Sequence, residues 1–255
     1  MSLKLQSYHV GNLQGIGARE RQEDSFTVMN AFDVKKIRQH GLMFSVCDGM
    51  GGMQDGKVAS ETAIATFRDG FSCLDKNADI SIQLKNTAYA ASNMVESALG
   101  GQGGSTAVTC IIYQDMLYFV SVGDSFLYMK RGNNLYRLNS EHTMCNQLYL
   151  SCIRNEIIDP TAGREDPESV ALTQFIGMTG LSDVDGTVRP IPIKEGDVLL
   201  ACSDGIGGVL SEEEVFYALS MDKPNDMCNS LEKGIIAHCK PNQDNYTAVV
   251  VKCVK

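Results

Sequence analysis

Long apolar runs are missing from this chain, so no segment reads as a bilayer-spanning helix, and the start, Met1-Ser2-Leu3-Lys4, has no hydrophobic core of the kind a secretory signal needs. A cytoplasmic protein with no membrane partner is the expectation. Clusters of Lys and Arg are missing as well, and the formal charge is -9, which argues against a nucleic-acid partner, because phosphate backbones are gripped by grouped cations. No C-x-x-C pair occurs among the nine cysteines, which scatter from Cys47 to Cys253 in odd number. That fits reduced, mostly buried thiols better than a disulfide scaffold or a zinc site. The six prolines are thinly spread, and no repeat, low-complexity tract or Pro-rich linker interrupts the chain. One compact domain over residues 1–255 is therefore expected, and a monomer is the default.

What is present is a core-forming composition, 44% hydrophobic, in a recognisable order. β-branched and aromatic residues predict strands over 25–29, 42–47, 107–113, 117–122, 127–130, 198–202 and 246–254. Helical spacing appears at 57–71, 80–99, 212–220 and 225–238, where Ser211 and Pro224 are start signals for the last two. Two helices in succession, then closely spaced strands joined by turns such as Arg131-Gly132-Asn133-Asn134, form the pattern of antiparallel hairpins rather than βαβ crossovers. An α+β layered sandwich follows.

Carboxylates recur at the tips of these strands. Val46-Cys47-Asp48-Gly49 is an apolar strand running into an acid and a glycine-rich turn, whose backbone carbonyls can approach a ligand closely. Taken alone, it is more simply a hairpin turn in which Asp48 bonds backbone amides. But Ser203-Asp204-Gly205 and Val122-Gly123-Asp124-Ser125 repeat the arrangement, while Glu23-Asp24 and Asp244-Asn245 stand just before strands. Alternating strand directions bring such tips and starts to one edge, so Glu23, Asp48, Asp204 and Asp244 can converge. Gathered carboxylates repel and raise one another's pKa unless cations neutralise them, and all-oxygen ligation selects Mg²⁺ or Mn²⁺.

In series, these elements resemble the metal-dependent protein phosphatases, the type 2C serine/threonine phosphatases. The matches are R-x-x-x-E-D at Arg19 to Asp24, D-G-x-G-G at Asp48 to Gly52, G-S-T-A at Gly104 to Ala107, V-G-D-S at Val122 to Ser125, Ser-Asp-Gly at Ser203 to Gly205, and Asp244-Asn245. The resemblance implies a four-layer sandwich, two central antiparallel β-sheets flanked by pairs of α-helices. It also implies two Mn²⁺ or Mg²⁺ ions bridged by Asp48, with the Gly49 carbonyl on one and Glu23, Asp204 and Asp244 on the other. Asp24 would support the site, Asp124 with Asp204 would hold a third, weaker metal, and Arg19 would clamp the substrate phosphate. The implied reaction is hydrolysis of phosphoserine and phosphothreonine in proteins by a hydroxide activated between the ions, opposing a serine/threonine kinase. Met50 stands where many eukaryotic members have a histidine, and in this the chain resembles bacterial members. Residues 144–168 match the place of the family's variable flap.

Other strings read more plainly. Gly100 to Thr106 lacks the Gly-Lys-Ser/Thr ending of a nucleotide loop and reads as a turn into a strand, His142 as structural or surface, and Cys47 and Cys202 as small buried residues at strand ends. The C-x5-R loop of cysteine-dependent phosphatases is absent. The competing functions are a catalytically weak or inactive phosphoprotein-binding module of the same fold, and a small-molecule phosphatase with the same core.

Overall fold

The computed structural model describes residues 7–50, 55–159, 161, 163–164 and 166–254. Gly51 and Gly52 of the glycine-rich turn, the first four residues of the chain, and Pro160, Ala162 and Glu165 of the 144–168 segment lie outside the described residues. Among the described residues, one sheet runs in the order β1 (Ser7–Gly15), β13 (Tyr246–Val254), β12 (Val198–Cys202), β8 (Phe126–Arg131) and β9 (Asn134–Arg137). The second runs β10 (Asp185–Gly186), β7 (Met116–Val122), β6 (Ala107–Tyr113), β3 (Leu42–Cys47) and β2 (Ser25–Met29), with β11 (Ile191–Pro192) also on β7. Every pairing is antiparallel. A small ribbon joins β4 (Gly49–Met50) to β5 (Gly104–Ser105).

Seven helices complete the described chain: α1 (Val34–His40), α2 (Asp55–Ser72), α3 (Ile80–Leu99), α4 (Met144–Arg154), α5 (Asp204–Gly207), α6 (Glu212–Ala218) and α7 (Pro224–His238). Local chemistry sets their ends. Asp79 caps α3 by accepting from the Ser81 and Ile82 amides, Ser211 and Glu214 close a capping box on α6, and Pro224 opens α7 with its ring-fixed φ.

Three apolar cores make the layers. Leu42, Phe44 and Val46 of β3 meet Leu199, Ala201, Val249 and Val251 across the space between the sheets. Their alternate neighbours Met43 and Cys47 turn outward onto α2 and α3, through Ala59, Ala63, Phe67, Ala88 and Ala91. On the far side Leu200, Cys202, Ala248 and Val250 pack on α5, α6 and α7 through Ile206, Val215, Leu231 and Ile235. A strand covered on both faces has little room for a solvated side chain, so β3, β6, β12 and β13 read as largely apolar runs in which Ser45, Thr109 and Thr247 are themselves buried. Each fully buried Leu, Ile, Val or Phe in them contributes about 1.5–3 kcal/mol. The four-layer α+β sandwich expected of the sequence is the fold observed. No helix among the described residues is long and apolar enough to cross a membrane.

Candidate metal centre

Strand register gathers the acids. Ser25 pairs with Cys47, Ala107 with Val122, Cys202 with both Ala248 and Phe126, and Gly15 with Tyr246. The ends of β1, β3, β7 and β12 and the starts of β2, β6, β8 and β13 therefore lie at one rim. The turn Gly123-Asp124-Ser125 carries the chain from β7 in one sheet to β8 in the other, so both sheets present the same rim. Glu23, Asp24, Asp48, Asp124, Asp204 and Asp244 all stand on it.

Each acid is fixed mainly through its backbone. The Asp48 amide donates to Thr106 Oγ1 at 3.0 Å, and its carbonyl accepts from the Thr106 amide at 2.8 Å and the Ser105 hydroxyl at 3.0 Å. Thr106 Oγ1 also bonds Ser125 Oγ at 2.7 Å, which ties the turn bearing Asp48 to the turn bearing Asp124. The sequence reading of 100–106 as a turn was structurally right and missed this clamp. His142, buried, accepts from the Gly123 amide at Nδ1 and donates its own amide to the Gly123 carbonyl, bracing the same turn from behind. Asn245 accepts from the Glu23 amide and donates to the Ile16 and Arg21 carbonyls, so the segment 16–23 is pinned beside Asp244.

Asp24 has no exposed surface. Its Oδ2 accepts from Ser203 Oγ at 2.9 Å, and that hydroxyl accepts from the Thr247 amide, bolting one sheet to the other next to Asp204. The Asp48 carboxyl lies within hydrogen-bonding reach of both Asp24 and Asp204. Asp244 takes a 2.5 Å bond from Arg19 Nη2 and a second from the Asn245 amide. Arg19 and Asp244, expected to serve substrate and metal separately, are thus partners of one another.

The electrostatics are those of crowded anions. Burial, opposed by the Thr247 and Ser203 hydrogen bonds, pushes Asp24 up to about 6. Burial and then the charges of Asp24 and Asp204 hold Asp48 well above the carboxylate range. Asp124 is pushed up to about 7 by burial and Asp204, and burial likewise raises Asp204 and Glu23. Such a set is stabilised by protons or by cations. Three observations test the fit of hard divalent ions. The donors are all oxygen, the choice of Mg²⁺ and Mn²⁺. Asp24 Oδ1 and Asp204 Oδ1 are buried without hydrogen-bond partners. A Cβ on Gly56 would stand within 3.0 Å of both the Gly49 carbonyl oxygen and Glu23 Oε1, a cradle that any side chain at 56 would fill. The residues present fit the group, although among the described residues no three His, Cys, Asp or Glu side chains are already spread around a common centre.

Comparison with known proteins places this geometry. The family model for protein phosphatase 2C matches residues 8–154, which carry β1 through α4 and with them Arg19, Glu23, Asp48 and Asp124. The chain belongs to the protein phosphatase 2C family. A serine/threonine phosphatase of Listeria monocytogenes, stp, is 28% identical over 219 residues, covering 81% of this chain and 82% of its own. The serine/threonine phosphatase PstP/Ppp of Mycobacterium tuberculosis superposes with a TM-score of 0.80 at 22% identity, covering 98% of this chain and 100% of that one. The PstP catalytic domain solved in complex with two manganese ions does so at 0.76 and 22%, with 98% and 100% covered. These two structural likenesses establish the fold.

Within this member of the family, a cavity of about 510 Å³ opens beside the acids, lined by Asp124, Asp204 and Asp244 together with Arg164, Val170 and Lys240. Burial pushes the Cys47 and Cys202 thiols up to about 12, which keeps both in the neutral, unreactive form and leaves them as core residues behind the aspartates.

Proposed function

We propose that this chain is a divalent-cation-dependent phosphatase acting on phosphoserine and phosphothreonine in proteins. The observation that carries the reading is Asp48 set between Asp24 and Asp204, on a rim shared with Glu23, Asp124 and Asp244, with carboxylate oxygens left unpartnered. In this reading Asp48, the Gly49 carbonyl, Glu23, Asp204 and Asp244 hold two Mn²⁺ or Mg²⁺ ions, and Asp124 with Asp204 holds a weaker third. Bound there, the ions supply a nucleophilic hydroxide at neutral pH and charge stabilisation for a displacement at phosphorus. Asp24 orients Asp48 and is itself oriented by Ser203. Arg19, more than half exposed beside Asp244, offers a planar fork of donors to the phosphate oxygens. The thioether of Met50 carries no proton for the leaving alcohol, so a group other than residue 50 supplies it. A cytoplasmic monomer opposing a serine/threonine kinase completes the proposal.

The family relatives named as serine/threonine phosphatases favour this reading over a small-molecule phosphatase. The presence of the whole acid set with Arg19 favours it over a binding module, which has no use for mutually repelling carboxylates. The test is turnover of p-nitrophenyl phosphate with Mn²⁺, then with EDTA, alongside Asp204→Asn. Expected are activity that needs the metal and a folded but inactive variant. Turnover indifferent to EDTA, or an undiminished variant, refutes the assignment.

A further inference from the structure

The cavity beside the acids is larger than a phosphoryl group requires and falls in the size range of pockets that enclose whole small ligands. If the phosphate sits at the acid rim, as proposed above, the remaining space takes the polypeptide next to the phosphorylated residue. Besides the rim aspartates, its wall carries Glu141 and two cations, Arg164 and Lys240. Lys240 Nζ reaches the Gly208 carbonyl at 3.4 Å, the long limit of a hydrogen bond, and among the described residues it pairs with no acid. Among the described residues Arg19, Lys57, Arg131, Arg137 and Lys252 are ion-paired with acids, whereas Lys240 stands on the cavity wall without one.

Its position is not left to chance. Helix α7 ends at Cys239 in the left-handed region, φ 48°, so the chain reverses at once into the turn 240–243. The Gln243 amide donates to the Lys240 carbonyl, its side-chain Nε2 donates to the Gly205 carbonyl at 2.9 Å, and its carbonyl accepts from the Ala18 amide at 2.8 Å. The turn bearing Lys240 is thereby fastened on one side to the residue after Asp204 and on the other to the residue before Arg19. The cavity is also lined by Val170, largely exposed, against which the apolar part of a peptide side chain can lie.

We propose that Lys240 is a specificity residue: it favours phosphoprotein substrates that carry a carboxylate side chain close to the phosphorylated residue. This rests on the phosphatase reading. A rim charge acts through a screened attraction, so its effect is modest, salt-sensitive and confined to substrates long enough to reach it.

The experiment compares p-nitrophenyl phosphate with phosphothreonine peptides matched except for acidic, neutral or basic flanks, using the wild type, Lys240→Glu and Lys240→Arg with Mn²⁺ at low and high salt. Expected is a wild-type preference for acidic flanks in kcat/KM. Lys240→Glu lowers kcat/KM for the acidic peptides about three- to tenfold at low salt, Lys240→Arg retains the preference, and p-nitrophenyl phosphate is turned over equally by all three. A wild type indifferent to flank charge, or a preference intact in Lys240→Glu, overturns the proposal while small-substrate turnover leaves the phosphatase reading standing. Absence of turnover on every substrate by the wild type overturns both.

Discussion

Removing the negative charge of Asp48 should stabilise the protein in chelator and destroy its response to metal. Asp48 sits between Asp24 and Asp204; burial raises all three carboxylates, the charges of Asp24 and Asp204 raise Asp48 further, and hydrogen bonds with Asp48 partly lower the other two. For Asp24 the rise from an ordinary 3.8 to about 6 corresponds, at 1.36 kcal/mol per unit, to about 3 kcal/mol lost when it ionises. A raised acid binds its proton more tightly folded than unfolded, so stability falls as pH rises from about 4 through 6 and 7. Asp48→Asn keeps the shape, brings two N–H donors to the carboxylate oxygens and deletes one of the repelling charges. At pH 7.5 in EDTA it should gain about 1–3 kcal/mol, or roughly 2–10 °C in Tm. At pH 5, where the wild-type cluster holds more protons, the gain should shrink. With Mn²⁺ at a hundred times its Kd the wild type recovers about 2.7 kcal/mol and the variant far less, so the gap between them closes or reverses. Thermal melts at the two pH values, with EDTA and with Mn²⁺, decide it. An Asp48→Asn protein that melts below wild type in EDTA at pH 7.5, or that gains equally from Mn²⁺, refutes the reasoning.

Thr106→Val removes the acceptor of the Asp48 amide and the partner of Ser125, and an unsatisfied buried donor costs about 1–3 kcal/mol; urea denaturation should show that loss and Mn²⁺ titration a weaker affinity, with Thr106→Ser restoring both. Arg19→Ala should raise KM for a phosphopeptide about tenfold while changing kcat much less, because it removes charge-assisted donors to a group bound in ground and transition states alike; a fall in kcat with KM unchanged would move Arg19 out of the phosphate-binding role.

Elements covered on both faces were legible to the residue. The strands at 42–47, 107–113, 198–202 and 246–254 have the bounds expected of them because burial on two sides leaves a largely apolar signal, and the edge strand at 25–29 and the one-sided helix at 80–99 match as well. What escaped was held by partners rather than by pattern. β1, Ser-Tyr-His-Val-Gly-Asn-Leu-Gln-Gly, lacks a clean alternation, yet all nine residues pair with β13, so its conformation comes from the neighbouring strand. α4, which falls inside the expected variable flap, buries no residue at all. The glycine-rich Asp204–Gly207 segment looks like a turn and forms one helical turn instead, packed by Ile206.

The candidate site divides the same way, and for a chemical reason. A hard-cation ligand has to be an oxygen at a fixed strand end, so the acids and their glycines are constrained in kind and in order, and a reader can find them. The groups that aim them act largely on backbone amides and carbonyls, a task that Thr106, Ser203, Gln243 and Asn245 perform from three different segments with interchangeable hydroxyl or amide chemistry. Nothing in their local sequence marks the carbonyl or amide they will meet, because the Asn245 side chain acquires its partners 222 and 224 residues away only when β1 closes on β13. The aiming groups therefore belong to the topology: moving the β1–β13 register by one residue would leave each acid in the chain and remove Glu23 from Asp244.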